Sequence, residues 1–177
     1  MDAELTVRPV RPTEHDRVAE LTLAAYGRLG VDVGSYQASL ADVAGRAAEA
    51  LVLVAVRGRR LVGAVTYVPD SANGYAEFDD ADAAGIRMLA VDPDAQGRGV
   101  GAALVGACIA RAVAAGRRRV VLHSTAEMAV ARRLYRRLGF RRAPELDWRP
   151  QPNVALRGYV LQVDAVAAAG SGRSVGT

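Results

Sequence analysis

The stretch that most limits how this chain can fold is IRMLAVDPDAQGRGVGAAL, residues 86–104. A mostly apolar run, Ile86 to Val91, is stopped by Asp92-Pro93. The Gly-rich turn Gln96-Gly97-Arg98-Gly99-Val100-Gly101 follows and opens directly into a helical pattern. The spacing predicts strand, turn and helix in immediate succession. A helix N-terminus carries unpaired N–H groups and a partial positive charge, and glycines let an anion approach them without obstruction from Cβ atoms. The segment reads as a cradle for a pyrophosphate.

The rest of the chain bounds what that cradle can belong to. At 177 residues and 51% apolar content it fits one domain, able to bury roughly 70% of its unfolded surface. The net charge is +4 and every basic side chain is Arg, with no Lys. A mild cationic excess suits an anionic ligand without requiring nucleic acid, and with aromatics at 5% no basic stripe with interleaved aromatics is evident. A single cysteine, Cys108, excludes an intrachain disulfide and a Cys-rich zinc site. No apolar run has signal-peptide or membrane-spanning length, so the expected setting is cytoplasmic, with no membrane partner and no metal.

In chain order, Leu5-Thr6-Val7 reads as a strand, and Thr13 as the N-cap of a helix to about Leu29. Ser35 to Ala48 reads as a second, weaker helix, and Leu51–Val56 with Leu61–Val68 as a hairpin turned by Arg57-Gly58-Arg59-Arg60. Pro69 to Ala84 is expected to be a mobile loop carrying Glu77, Asp79, Asp80 and Asp82. After the Gly turn a helix runs to Gly116 and Val120-Val121-Leu122 forms a short strand. Ser124-Thr125-Ala126-Glu127 fits a capping box opening a helix that Gly139 closes. Phe140–Ala143 and Ala155–Val163 read as two closing strands joined by a Pro-rich connection containing Trp148. Residues 165–177 are expected to be a disordered tail beyond a single domain, 1–164.

Two separated motifs, Leu89-Ala90-Val91-x-Pro93 with Gln96-Gly97-Arg98-Gly99-Val100-Gly101, and Ala131-x-x-Leu134-Tyr135-x-x-Leu138-Gly139-Phe140, occur in this order between the hairpin and the closing strands. Together they resemble the GNAT superfamily of N-acetyltransferases over roughly Leu5 to Val163. The resemblance implies one α/β (α+β) domain. Its mixed, mostly antiparallel central sheet would be flanked by about four helices and splayed between the strands ending near Val91 and Leu122. It implies acetyl-CoA as cosubstrate and an amine as acceptor; a single domain of this size has no obvious extra module for a protein substrate, which favours a small molecule over a peptide or protein amine, and a homodimer would be common for such a fold. By position, Gln96, Gly97, Arg98, Gly99, Val100, Gly101 and Ala102 would hold the pyrophosphate. Leu89, Ala90 and Val91 would pair with the pantetheine arm, and Tyr135 would protonate the departing thiolate. Ala131 would let its helix approach the cosubstrate, and Arg98, Arg132 and Arg136 are candidates for the outer phosphates.

Two positions depart from that pattern. Met128 stands where many members carry an Asn on the pantetheine, a contact that Ser124 or a water could replace. Ala84 and Gly85 stand where a carboxylate base is often found, so the base is unassigned among Glu77, Asp79, Asp80, Asp82 and a water chain. His123 is a secondary candidate for base or substrate contact, and Tyr26 and Tyr36 for the acceptor wall; Cys108, on an apolar helix face, is read as core. A dinucleotide-binding reading of Gly97-x-Gly99-x-x-Ala102 lacks the acidic residue at the end of the next strand and leaves the Tyr135 helix unexplained. A non-catalytic acyl-CoA sensor on the same fold stays open, with the retained Tyr135 against it. The turn lacks Gly-Lys-Ser/Thr, which excludes a P-loop.

Overall fold

In the computed structural model, residues 3–29, 34 and 36–163 are described. The run Leu51-Val52-Leu53-Val54-Ala55 explains the layering. In a strand, successive side chains point to opposite faces, and residues 52 to 55 are all buried. Leu53 and Ala55 enter one core, with Val62, Val65, Ile86, Leu104, Cys108 and Leu134. Val52 and Val54 enter another, with Val18, Leu21 and Val43. The sheet is therefore covered on both faces.

The strands are β1 (Leu5–Pro9), β2 (Leu51–Arg57), β3 (Arg60–Val68), β4 (Ala83–Val91), β5 (Arg119–Ser124), β6 (Arg141–Arg142), β7 (Trp148–Gln151) and β8 (Val154–Gln162). They lie in the order β1-β2-β3-β4-β5-β8-β6, with β7 also on β8. Helices α1 (His15–Gly27), α2 (Tyr36–Ala41) and α3 (Val43–Glu49) precede the hairpin; α4 (Val100–Ala114) and α5 (Ala129–Arg137) follow β4 and β5. Every strand pair is antiparallel except β4 with β5.

That parallel pair makes the splay. β4 and β5 are in register only from Ala83↔Arg119 to Ile86↔Leu122. Beyond it β5 continues against β8 as far as Ser124↔Arg157, and β4 continues against β3 as far as Val91↔Gly63. Among the described residues, the β5-facing edge of β4 from Arg87 to Val91 thus has no strand partner. Between Ala64↔Ala90 and Thr66↔Arg87, β4 carries one residue more than β3, a bulge at which Met88 adopts φ 54°. A bulge bends its strand and increases the local twist, turning β4 away from β5.

Several sequence expectations need correction. The expected Ser35–Ala48 helix is two helices, giving five in place of about four. Asp42 interrupts it and accepts a hydrogen bond from the Gly45 N–H at 2.8 Å. A Cβ on Gly45 would sit 2.2 Å from that carboxylate, so glycine is what lets the cap fold back. Thr13 is not an N-cap: Pro12–Glu14 form a 3-10 turn, and Glu14 precedes α1 and accepts from the Arg11 N–H. Ser124 does not open a capping box either. It is the last residue of β5, fully buried, and Met128 stands at the N-cap of α5. The stretch around Trp148 is a strand, and Ala83 and Ala84 already belong to β4. The expected tail, residues 165–177, lies outside the described residues.

Candidate active site

The Gly turn sits where β4 ends. Asp92 pins it: its buried carboxylate accepts from the Asp94 N–H at 3.1 Å and pairs with Arg60 at 2.9 Å and Arg17 at 3.3 Å. Burial opposes its charge, but these donors hold its carboxyl below the usual range. The Gln96 N–H is used within the turn, donating to the Pro93 carbonyl at 3.2 Å. The next N–H groups differ. Ala103 is the first helical residue bonded back, to the Gly99 carbonyl, and the N–H groups of Gly97 to Ala102 have no partner among the described residues. Gly97 and Gly99 have φ 72° and 78°, a conformation costly for other residues. A Cβ on either would meet nothing within 4 Å, so the ground in front of the turn is open.

The close approach of α5 to this turn is set by Gly101, whose Cβ would lie 2.9 Å from Leu134 Cδ2. Leu134 and Tyr135 are the buried residues of α5. The Tyr135 ring packs at 5.8 Å from Phe140 and its hydroxyl makes no hydrogen bond among the described residues. Burial pushes the phenol well above its ordinary pKa, with Cys108 adding to the rise, so it stays protonated across any working pH. Cys108 is itself fully buried and pushed up to about 12 by burial, which leaves it a thiol without nucleophilic character. Ala131 is half-buried against the same core. Of the arginines considered for phosphate, Arg132 donates to the Ala126 carbonyl at 2.9 Å, and Arg98 and Arg136 are exposed.

On the other side of the splay lies a pocket of 380 Å³, lined among others by Tyr26, Tyr36, Glu77, Arg87, His123, Met128 and Trp148. The four acids between residues 77 and 82 separate here. Asp80 is held by Arg119 through two hydrogen bonds, Asp82 lies 3.7 Å from the same guanidinium, and Asp79 is exposed outside the pocket. Glu77 alone of them reaches the pocket. Its Oε1 pairs with Arg87 at 2.8 Å and its Oε2 lies 3.5 Å from His123 Nδ1. The reason is Gly85. A Cβ there would sit 2.5 Å from Phe78 Cε1, so the missing side chain seats the Phe78 ring against the sheet and fixes its neighbour Glu77 over the site. The strand position without a carboxylate thus brings a loop carboxylate in.

His123 is nearly inaccessible, its side chain 4% exposed. Nε2 lies 2.8 Å from the Leu146 carbonyl, an acceptor, so Nε2 carries a hydrogen and donates it. In the neutral ring the lone pair is then on Nδ1, facing Glu77. The turn holding Leu146 is seated on Gly158, whose Cβ would lie 2.4 Å from Leu146 Cβ. Burial pushes the Tyr26 phenol well above its ordinary pKa, with Tyr36 and Tyr135 adding to the rise. Sequence reasoning named Tyr26, Tyr36, Glu77 and His123 but passed over Arg87, Trp148, Phe78 and Asp92. Among the described residues no helix is long and apolar enough to cross a membrane, and no group of three His, Cys, Asp or Glu could hold a metal ion.

Comparison with known proteins gives this arrangement a family. The model of the acetyltransferase (GNAT) family matches residues 16–140. A mycothiol acetyltransferase of Cellulomonas flavigena is 37% identical over 108 residues, 56% of this chain; the chain spans only 29% of that relative's length. Among solved structures, a GNAT-family acetyltransferase of Staphylococcus aureus Mu50 superposes with TM-score 0.74 at 14% identity, covering 90% of this chain and 99% of the other. The yncA protein of Salmonella typhimurium, solved with its cofactor acetyl-CoA, superposes with TM-score 0.66 at 20% identity, covering 90% and 94%. At such identities the structures speak for the fold. With the family match over most of the domain, the chain belongs to the GNAT family of acetyltransferases.

Proposed function

We propose that this chain is an N-acetyltransferase that moves the acetyl group of acetyl-CoA to a primary amine by direct transfer. The observation that carries the reading is the meeting, at one splay, of the partnerless N–H groups of Gly97 to Ala102 with the unpaired edge of β4. Open ground before two left-handed glycines at a helix N-terminus fits a pyrophosphate. The β4 edge fits an extended polar arm that adds to the sheet as a strand would.

In this reading Gly97, Arg98, Gly99, Val100, Gly101 and Ala102 hold the pyrophosphate through backbone N–H groups, with the Gln96 side chain beside them. Leu89, Ala90 and Val91 take the pantetheine arm, with Met128 and Ala131 facing it; Ser124, fully buried at the end of β5, does not reach the arm. Acetyl-CoA supplies the acetyl group as an activated thioester; the protein's own groups do the rest. An N–H of the Leu89–Val91 edge donates to the carbonyl oxygen as negative charge develops there. The Tyr135 hydroxyl, kept protonated by burial, gives its proton to the sulfur as the carbon–sulfur bond breaks, and the second proton shed by the acceptor nitrogen as the amide forms restores the phenol. The incoming ammonium must first lose a proton. Glu77 Oε2 accepts it and passes it to His123 Nδ1, the ring's free lone pair. The resulting imidazolium is held between the Glu77 carboxylate and the Leu146 carbonyl.

The test is release of free thiol from acetyl-CoA by the purified protein against a panel of amines. Amine-dependent, saturable release supports the reading. Tight binding of acetyl-CoA with no release on any amine would move the chain to a sensor role.

A further inference from the structure

We infer that the acceptor is a primary monoamine with an aromatic or otherwise apolar body and no carboxylate; this rests on the acetyltransferase reading above. The pocket's charge inventory is short. Among the described residues Glu77 is the one carboxylate lining it, and Arg87 neutralises that charge at 2.8 Å. Of the other loop acids, Asp80 is held by Arg119, Asp82 lies beside the same guanidinium, Asp70 faces Arg117 at 3.8 Å, and Asp79 is exposed outside the pocket. A polyamine or an aminoglycoside brings several ammonium groups, each needing a carboxylate on leaving water, and the pocket offers one.

Arg87 is already committed to the pocket's own wall. It donates through Nη1 to the Tyr75 carbonyl at 3.0 Å and through Nη2 to the Tyr36 hydroxyl at 2.8 Å, besides pairing with Glu77. Its guanidinium carbon sits 5.8 Å from the Tyr36 ring centroid and 5.9 Å from that of Tyr75. The cation is a wall strut rather than a receptor.

What remains is apolar and aromatic. The Tyr26 and Tyr36 rings lie 6.3 Å apart, Met128 closes one side, and Trp148 stands at the mouth with 41% of its surface exposed, its ring edge-on to His123 at 6.5 Å. An exposed tryptophan beside the buried proton acceptor gives an arene or alkyl body a surface to cover. At 380 Å³ the pocket is near the small end of ligand sites, about 300–1,000 Å³, sized for a compact molecule.

The experiment measures thiol release from acetyl-CoA with 2-phenylethylamine, spermidine, kanamycin, L-phenylalanine and a heptapeptide with a free N-terminus. Acetyl-CoA binding is followed separately by calorimetry. The kcat/KM for 2-phenylethylamine should be at least tenfold above that for each of the others. In Trp148→Ala, KM for that amine should rise about tenfold while kcat and acetyl-CoA affinity stay within about twofold. Preference for spermidine, kanamycin, L-phenylalanine or the peptide overturns the inference. So does thiol release from none of the five while acetyl-CoA still binds. Failure to bind acetyl-CoA would instead overturn the underlying acetyltransferase reading, and this inference with it.

Discussion

Replacing Glu77 by Gln removes a proton acceptor while keeping nearly the same shape. In the native site one carboxylate oxygen meets Arg87 and the other faces His123 Nδ1. The amide introduced by Glu77→Gln could still offer its oxygen to Arg87 and its N–H to Nδ1, so the Phe78–Gly85 seat and the pocket walls should persist. Proton removal from the ammonium would then fall to solvent. General-base assistance is worth about 10²–10⁴-fold, so kcat/KM for the amine should fall by that factor, about 2.7–5.5 kcal/mol of transition-state stabilisation. The pH profile carries the sign. Without the internal acceptor only amine already deprotonated in solution reacts, so the logarithm of the rate should climb with unit slope toward the amine's own pKa, and the deficit should shrink as pH rises. Stopped-flow thiol detection from about pH 6 to about pH 10, spanning the expected climb, gives both readings, with acetyl-CoA affinity from calorimetry as control. A Glu77→Gln enzyme with native turnover and an unshifted profile would refute the role assigned to Glu77.

Other perturbations separate the remaining parts. Tyr135→Phe should lower kcat about 10²-fold or more with acetyl-CoA affinity unchanged in calorimetry, since the ring packing on Phe140 survives. Gly85→Val should unseat Phe78 and cost activity with Glu77 still in the sequence, measured as reduced kcat on a chain that still binds acetyl-CoA. Glu14 tests the fold alone: its bond to Arg8, helped by the Arg11 N–H, brings its carboxyl down to about 2 despite some burial. A depressed folded value stabilises above the ordinary carboxylate range, and that stabilisation is lost as pH falls through the folded value of about 2. Glu14→Gln should therefore cost roughly 1 kcal/mol in urea melts near neutral pH, as a partly exposed pair would, with the gap to wild type closing by about pH 2.

What could be read in the sequence was what local chemistry decides. The cradle was legible because strand, turn glycines and helix start are consecutive, and Leu51 to Val56 because a strand buried on both faces is continuously apolar. The capping box at Ser124 was misread because pairing with Arg157 on β8 draws that residue into the sheet, and tertiary pairing outweighs a cap signal. β7 reads as connection in the sequence because Trp148-Arg149-Pro150-Gln151 holds a proline. An edge strand tolerates it, and β7 pairs on one side only. The base was the hardest part. The four acids between residues 77 and 82 look alike in sequence, and what selects Glu77 is the Phe78 ring seated on Gly85 of the next strand, together with Arg119 capturing Asp80 from another. Arg87 gave no signal, since its partners come from α2 and the loop.

The cradle is the central claim, and calorimetric titration of the wild-type chain and Gly99→Glu with acetyl-CoA tests it most directly. Wild type should bind saturably, one to one. In the variant binding should weaken at least about a hundredfold, because a side chain there enters the open ground before the N–H groups with a negative charge and a strained left-handed backbone. A Gly99→Glu chain that binds acetyl-CoA as tightly as wild type would contradict it.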